Sequence, residues 1–197
     1  FTSVQSSNTF LLVSGGPDSV FLFHKYFKQK KPFTVIHFNH HLRGAESDVE
    51  QFFVEKLCRR HHVPCLVKHL KFSGKSGIQE RARQARQDFL FKIAQGTQRT
   101  CFFVTAHHAD DVLETLVMRA GRGAGIKGLC GIRESMTLSH PDFKHTITFI
   151  RPLLNVSKKK ILAWLKKNNI PFCTDSSNAH GDYFRNRVRQ KLAQGKI

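Results

Sequence analysis

FLLVSGGPDSV, residues 10–20, decides the fold. Four apolar residues suited to a buried strand run without a break into Ser14, two glycines and a proline, and a stretch of helical period follows over residues 20–28. Gly15 and Gly16 let the backbone turn tightly and approach an anion. Pro17 suits a first helical turn, and the helix N-terminus offers unpaired N–H groups and the positive end of a dipole. The stretch therefore predicts strand, phosphate cradle and helix in that order. It is not of the Walker type, because no Gly-Lys-Ser/Thr closes it, and Gly74-Lys75-Ser76 elsewhere lacks the upstream glycine that motif requires. An ordinary glycine turn would leave Asp18 and Ser19 without a reason.

Three more apolar runs, at residues 33–38, 65–70 and 101–105, recur at about 30 residues, the size of a strand-helix unit. The segments between them have helical period: Val49, Phe52, Phe53 and Leu57 mark one apolar stripe, and Ile78, Ala82, Ala85, Phe89 and Ile93 another. Continuous apolar strands alternating with helices predict an α/β domain with a doubly wound, mostly parallel sheet covered on both faces, whose ligands bind beyond the carboxyl ends of the strands. A glycine-rich stretch at residues 121–131 ends the repeat. A last helix is expected at residues 157–168, with Ser157 as its N-cap and Ile161, Leu162, Trp164 and Leu165 packing inward.

The chain has 197 residues, 40% of them hydrophobic, enough for one sizeable core. Disorder and coiled coil are excluded. No apolar run approaches the roughly 20 residues that cross a bilayer, and residues 1–10 lack the pattern of a secretion signal. Five scattered cysteines suit a reducing, cytoplasmic setting better than a disulfide framework. Lys and Arg number 32 against 14 Asp and Glu, a formal net charge of +18. Residues 1–114 hold 16 basic and 10 acidic side chains and residues 115–197 hold 16 and 4, so the excess is lopsided, as a face for a polyanion would be. One domain is expected over residues 1–197, with a basic helical segment at about 155–197.

SGGPDS resembles the PP-loop, SGGxDS, of the N-type ATP pyrophosphatase superfamily, and the rest of the chain resembles one family within it, the tRNA(Ile)-lysidine synthetases. The matching blocks are HFNHHLRGAESD (residues 37–48), GIQERARQARQDFL (77–90), TAHHADDVLETLVMRAGRGAGIKGLCGI (105–132), RPLL (151–154) and DSSNAHGDYFRNRVR (175–189). The resemblance implies an adenine-nucleotide-binding fold, ATP and Mg²⁺ as cofactors, and an isoleucine tRNA with a CAU anticodon and free L-lysine as substrates. ATP would adenylate the 2-oxo group of the wobble cytidine, and the lysine ε-amine would then displace AMP. Further tRNA-binding domains are expected beyond residue 197, and the oligomeric state stays open, a dimer being one option.

Under that resemblance Ser14, Gly15, Gly16, Pro17, Asp18 and Ser19 hold the phosphates. His37 and Asn39, at the exit of the second strand, stand where a backbone can read an adenine edge, although a His-rich surface loop has the same letters. Arg86 shares a helix face with Arg83 beside Glu80, commonly a solvated pattern, and the resemblance favours Arg86 as a phosphate-facing arginine. The family usually has an aromatic residue after it, where this chain has Gln87, so the local packing is open.

If a helix begins near Ala109, Asp111 and Glu114 share a face and can coordinate Mg²⁺ or grip a substrate ammonium, while Asp110 suits capping. Asp18 and Asp111 are the candidate metal ligands, and His107 the candidate proton shuttle for lysine. Arg119 and Arg122 belong to a basic glycine loop expected to shape the mouth of the site and to meet the tRNA. Arg185, Arg187 and Arg189 read as tRNA contacts, and the resemblance extends Arg185 to the reacting phosphate. Gly123-x-Gly125-x-x-Gly128 matches a dinucleotide fingerprint by letter but follows a helix rather than a strand. Cys58, His61, His62, Cys65 and His69 straddle a helix end and a strand, a poor arrangement for zinc. Two other readings of the whole chain are a tRNA thiolase, disfavoured because no cysteines are closer than Cys58 and Cys65, and a non-catalytic RNA-binding module.

Overall fold

The computed structural model describes residues 8–41, 44–70, 77–97, 100–121, 123 and 131–174. Four strand-helix units open the chain: β1 (Thr9–Leu12) and α1 (Pro17–Lys28), β2 (Thr34–Asn39) and α2 (Ala45–Arg60), β3 (Cys65–His69) and α3 (Ile78–Thr97), β4 (Cys101–Val104) and α4 (Ala109–Ala120). Strands β5 (Ser135–His140) and β6 (Phe143–Ile150) follow, and α5 (Lys158–Lys167) is the last element among the described residues. The six strands form one sheet in the order β3-β2-β1-β4-β6-β5, parallel except for β5 against β6. Strand order reverses beside β1, so the carboxyl ends of β1 and β4 diverge into a crevice.

Alternation along the strands builds a core on each face. Leu11, Val13, Val35 and Val104 point to one side, where α1, α2 and α5 bury Phe23, Val54, Ile161 and Leu165. Phe10, Ile36, Phe103 and Ile147 point to the other, against Leu90, Phe91 and Ala94 of α3. Among the described residues no helix is long and apolar enough to cross a membrane.

Three expectations change. The hairpin β5–β6 was not foreseen: β5 is SMTLSH, with alternating exposure and only two apolar side chains, too weak a pattern beside the four apolar runs. Its two-residue connection, Pro141-Asp142, was the available signal. Helix α2 buries Ser47, Val54 and Cys58, whereas Val49 and Phe52 are each 63% exposed. Polar anchors set that rotation: the Asn39 amide donates to Asp48 Oδ1 (3.0 Å) and Gln51 Oε1 (2.9 Å), holding that flank of α2 against β2 and turning positions 49 and 52 outward. In α5, Leu162 faces solvent while Ile161 and Leu165 enter the core.

His24 of α1 packs among the rings of Phe23, His61 and Trp164. Burial, with the charges of His61, Lys28 and Arg60, pushes its pKa from 6.5 down to about 4. The folded state thus holds His24 neutral while the unfolded chain takes up a proton below pH 6.5. Its contribution is present above that pH and is lost as pH falls toward 4, roughly 1–2 kcal/mol after discounting for the partly exposed ring. Urea unfolding between pH 7 and pH 4 is expected to show a smaller acid loss in His24→Phe than in the parent chain, and equal losses would refute the assignment.

Candidate active site

The loop after β1 is shaped by two glycines with different tasks. Gly15 has φ +98°, a conformation L side chains rarely adopt, and a Cβ there would meet Cys173 Sγ and Val54 Cγ2 at 3.5 Å. Gly16 is extended (φ −70°, ψ 165°) and serves as the N-cap of α1, with Pro17 at its first turn. The Ser19 hydroxyl oxygen accepts from the backbone N–H of both Ser14 and Gly15, each at 3.2 Å, and its proton goes to Gly16 O at 2.9 Å. Two adjacent backbone donors thus converge on one oxygen, the arrangement an anionic oxygen can take over at a helix N-terminus. The Cys173 N–H donates to Gly15 O at 3.0 Å, tying the segment after α5 to the loop.

The facing wall comes from β4. Thr105 Oγ1 lies 2.8 Å from His107 Nδ1, and His108 N donates to Asp111 Oδ2 at 2.9 Å, a cap that starts α4 at Ala109. Between the walls lies an open cleft of about 240 Å³ lined by Leu12, Ser14, Gly16, Asp18, Ser19, Ala106, His107 and Asp111. Six of the residues nominated from sequence therefore meet at the point where strand order reverses, with Gly15 and Pro17 in the backbone of the same loop.

Asp18 is held by Lys158, with His108 beside it, two neighbours that the sequence does not announce. Lys158 Nζ donates to both its oxygens, at 2.7 and 2.6 Å, and His108 Nε2 stands 3.6 Å from Oδ1. Burial alone would raise the Asp18 pKa, but His108 and Lys158 outweigh it and hold the carboxyl below its ordinary range. Burial likewise lowers His108, and the Asp18 and Asp111 carboxylates reverse that to a net rise. A signal for Lys158 existed. Three lysines at positions 158–160 open α5 against its own dipole, which suits a helix start only where carboxylates stand nearby. Asp110 supplies one by accepting from the Lys158 N–H at 2.9 Å, so it caps α5 as well as beginning α4.

Removing this ammonium leaves a partly buried carboxylate without its closest counter-charge. Lys158→Met keeps the apolar stem and is expected to cost about 1–3 kcal/mol in urea unfolding. With Asp18→Asn in the background the same change is expected to cost clearly less, and an undiminished cost would sink the coupling.

Among the described residues, the other nominated side chains do not line the cleft. His37 is buried, its Nδ1 2.9 Å from Val13 O, and burial lowers its pKa. Asn39 is buried too: besides anchoring α2, its Oδ1 accepts from His41 N at 2.9 Å and so fixes the turn after β2. Arg86 is exposed on α3, its Nε donating to Ala82 O of its own helix at 3.3 Å. Glu114 is only 3% exposed, on the inner face of α4, and Arg119 is exposed at the end of that helix. Arg122, Arg185, Arg187 and Arg189 fall outside the described residues. Among those described, no three His, Cys, Asp or Glu side chains are grouped to cage a metal. Two carboxylates facing one cleft, one of them already drawing a cation onto both oxygens, do fit an ion such as Mg²⁺ that arrives with phosphate oxygens.

Comparison with known proteins bears on this arrangement. The profile of a family described as the PP-loop domain matches residues 1–196. A tRNA(Ile)-lysidine synthase of Novosphingobium aromaticivorans is 37% identical over 193 residues, which is 97% of this chain and 57% of that protein. One from Haemophilus ducreyi is 32% identical over 188 residues, 95% of this chain and 42% of the relative. The bifunctional protein TilS/HprT of Listeria monocytogenes is 33% identical over 96% of the chain, which spans 30% of that protein. The chain thus covers less than two thirds of the length of each of these relatives. Among solved structures, an NMN synthetase from Francisella tularensis has a TM-score of 0.55 over 96% of this chain and 77% of its own, at 14% identity, a likeness of fold.

Proposed function

This chain belongs to the PP-loop domain family, and on that premise we propose that it binds ATP in the cleft after β1 and uses it to join lysine to the wobble cytidine of an isoleucine tRNA. The observation that carries the reading is the convergence of the Ser14 and Gly15 N–H groups in the same cleft as Asp18, His107 and Asp111. The relatives named as tRNA(Ile)-lysidine synthases supply the substrate class, and the charge of +18 suits a polyanion.

In the first step the cytidine 2-oxo oxygen attacks the α-phosphorus and pyrophosphate leaves. In the second the lysine ε-nitrogen attacks C2, loses a proton, and AMP departs with the oxygen. The loop N–H groups bind phosphate oxygens without reorganising, since the fold already aims them. Mg²⁺, held by Asp18 together with phosphate oxygens, would neutralise phosphate charge in the first step, and the Asp111 carboxylate grips the lysine ammonium in the second. Lys158 then has a second anionic partner within the cleft and need not stay on Asp18. His107, oriented by Thr105, takes the proton from the lysine ammonium, whose ordinary pKa near 10.4 leaves little free amine at pH 7. Arg86 and Arg185 complete the reading as phosphate-facing cations, Arg86 by releasing its own helix carbonyl. Glu114 adds negative charge one turn beyond Asp111. AMP release is the decisive measurement: it is expected to require both the CAU-anticodon tRNA and lysine, and to be matched by lysidine formed. AMP release that ignores tRNA would overturn the reading.

A further inference from the structure

We propose that the end of the molecule opposite the cleft carries a second RNA contact, a basic pocket at the C-terminal ends of α1 and α2 that takes a phosphodiester backbone and one unstacked base. The inference rests on RNA being the substrate. The cavity measures about 610 Å³, and Phe27, Lys28, Lys30, Lys31, His61 and His62 are among the residues that line it. No carboxylate lines it, and residues 19–45 and 56–79 contain no Asp or Glu at all. The last turn of α2 adds Arg59 and Arg60. The last turns of α5 bring Trp164, over whose ring Lys28 Nζ sits at 4.8 Å, followed by Lys166 and Lys167.

Basic residues at helix C-termini have an ordinary explanation, because they offset the negative end of the dipole. That accounts for about half a charge per helix, far short of five cations on two ends. Nor does this fold require them, since the last turn of α3 has no basic residue. The pocket also has an aromatic floor. Phe27 is 39% exposed and its ring lies 4.6 Å from that of His61. An exposed aromatic surface ringed by lysines is the chemistry that holds single-stranded RNA, the base stacking and the phosphates paired. Helix α1 links the two sites, beginning under the cleft at Pro17 and ending at the pocket with Lys28. Its 12 residues span about 18 Å, beyond the reach of a mononucleotide and within that of a folded RNA.

The test uses the whole chain and a transcript of the CAU-anticodon isoleucine tRNA in which 4-thiouridine replaces part of the uridine. Lys28→Gln, Lys30→Asn and Lys31→Gln are combined, with Asn at 30 because φ is 55° there, and Phe27→Ala is made separately. The triple variant is expected to shallow the log-log salt slope of tRNA binding by about 2 and to weaken binding 10- to 100-fold at 0.1 M salt, with ATP affinity within twofold of the parent. Irradiation of the parent complex is expected to cross-link peptides carrying Phe27 or His61, and Phe27→Ala to reduce that yield. An unchanged slope with no such cross-link, while the parent chain binds tRNA and releases AMP, overturns the pocket and leaves the proposed activity standing. A parent chain that binds no tRNA brings down both.

Discussion

Gly16→Val is expected to abolish ATP binding, raising the dissociation constant at least 100-fold while leaving the fold intact. The backbone at Gly16 is extended, which a β-branched residue adopts readily, and a Cβ added there meets only Ser14 Oγ, at 3.6 Å. Neither strain nor a core clash is introduced. The isopropyl group projects into the 240 Å³ cleft that Gly16 lines, beside the N–H groups of Ser14 and Gly15. Gly15→Ala provides the contrast. Its cost is conformational, about 1–2 kcal/mol at φ +98°, so it should lower stability and loosen the loop together. Calorimetric titration with ATP and thermal melting separate the two cases, with Tm for Gly16→Val within a few degrees of the parent. A folded Gly16→Val chain with unchanged ATP affinity would falsify the cradle.

The loop was legible because its signals are local. Ser14 to Ser19 occupy consecutive positions, and the chemistry of two glycines, a proline and a helix start needs no tertiary partner to be recognised. The four parallel strands β1 to β4 and the start of α4 at Ala109 were legible for the same reason. The rotation of α2 was not, because the apolar letters at Val49 and Phe52 compete with polar anchors that exist only once Asn39 is in place above Asp48 and Gln51. Lys158 is the extreme case. It stands 140 residues from Asp18, and only the packing of α5 against α1 brings the ammonium to the carboxylate. Three lysines set against a helix dipole did mark the place where a carboxylate had to be, but not which one.

Asp111→Asn is expected to leave adenylation running and to slow lysine transfer by one to two orders of magnitude. Asp111 has two tasks: its Oδ2 accepts from His108 N to cap α4, and its charge faces the cleft. Asparagine keeps a carbonyl oxygen for the cap at almost the same volume, so the fold should lose no more than about 1 kcal/mol. Only the charge goes. A carboxylate that grips an ammonium contributes about 1.5–3 kcal/mol through a charged hydrogen bond, which corresponds to the expected loss and should be recovered in part at high lysine. Glu114→Gln is the less clean probe: at 3% exposure the carboxylate is part of the interior, and its loss would alter stability along with chemistry. A single-turnover assay that resolves adenylated tRNA from lysidine decides the matter. Equal loss in both steps would assign the Asp111 charge to the ion that accompanies ATP, and no loss in either would reduce Asp111 to a helix cap.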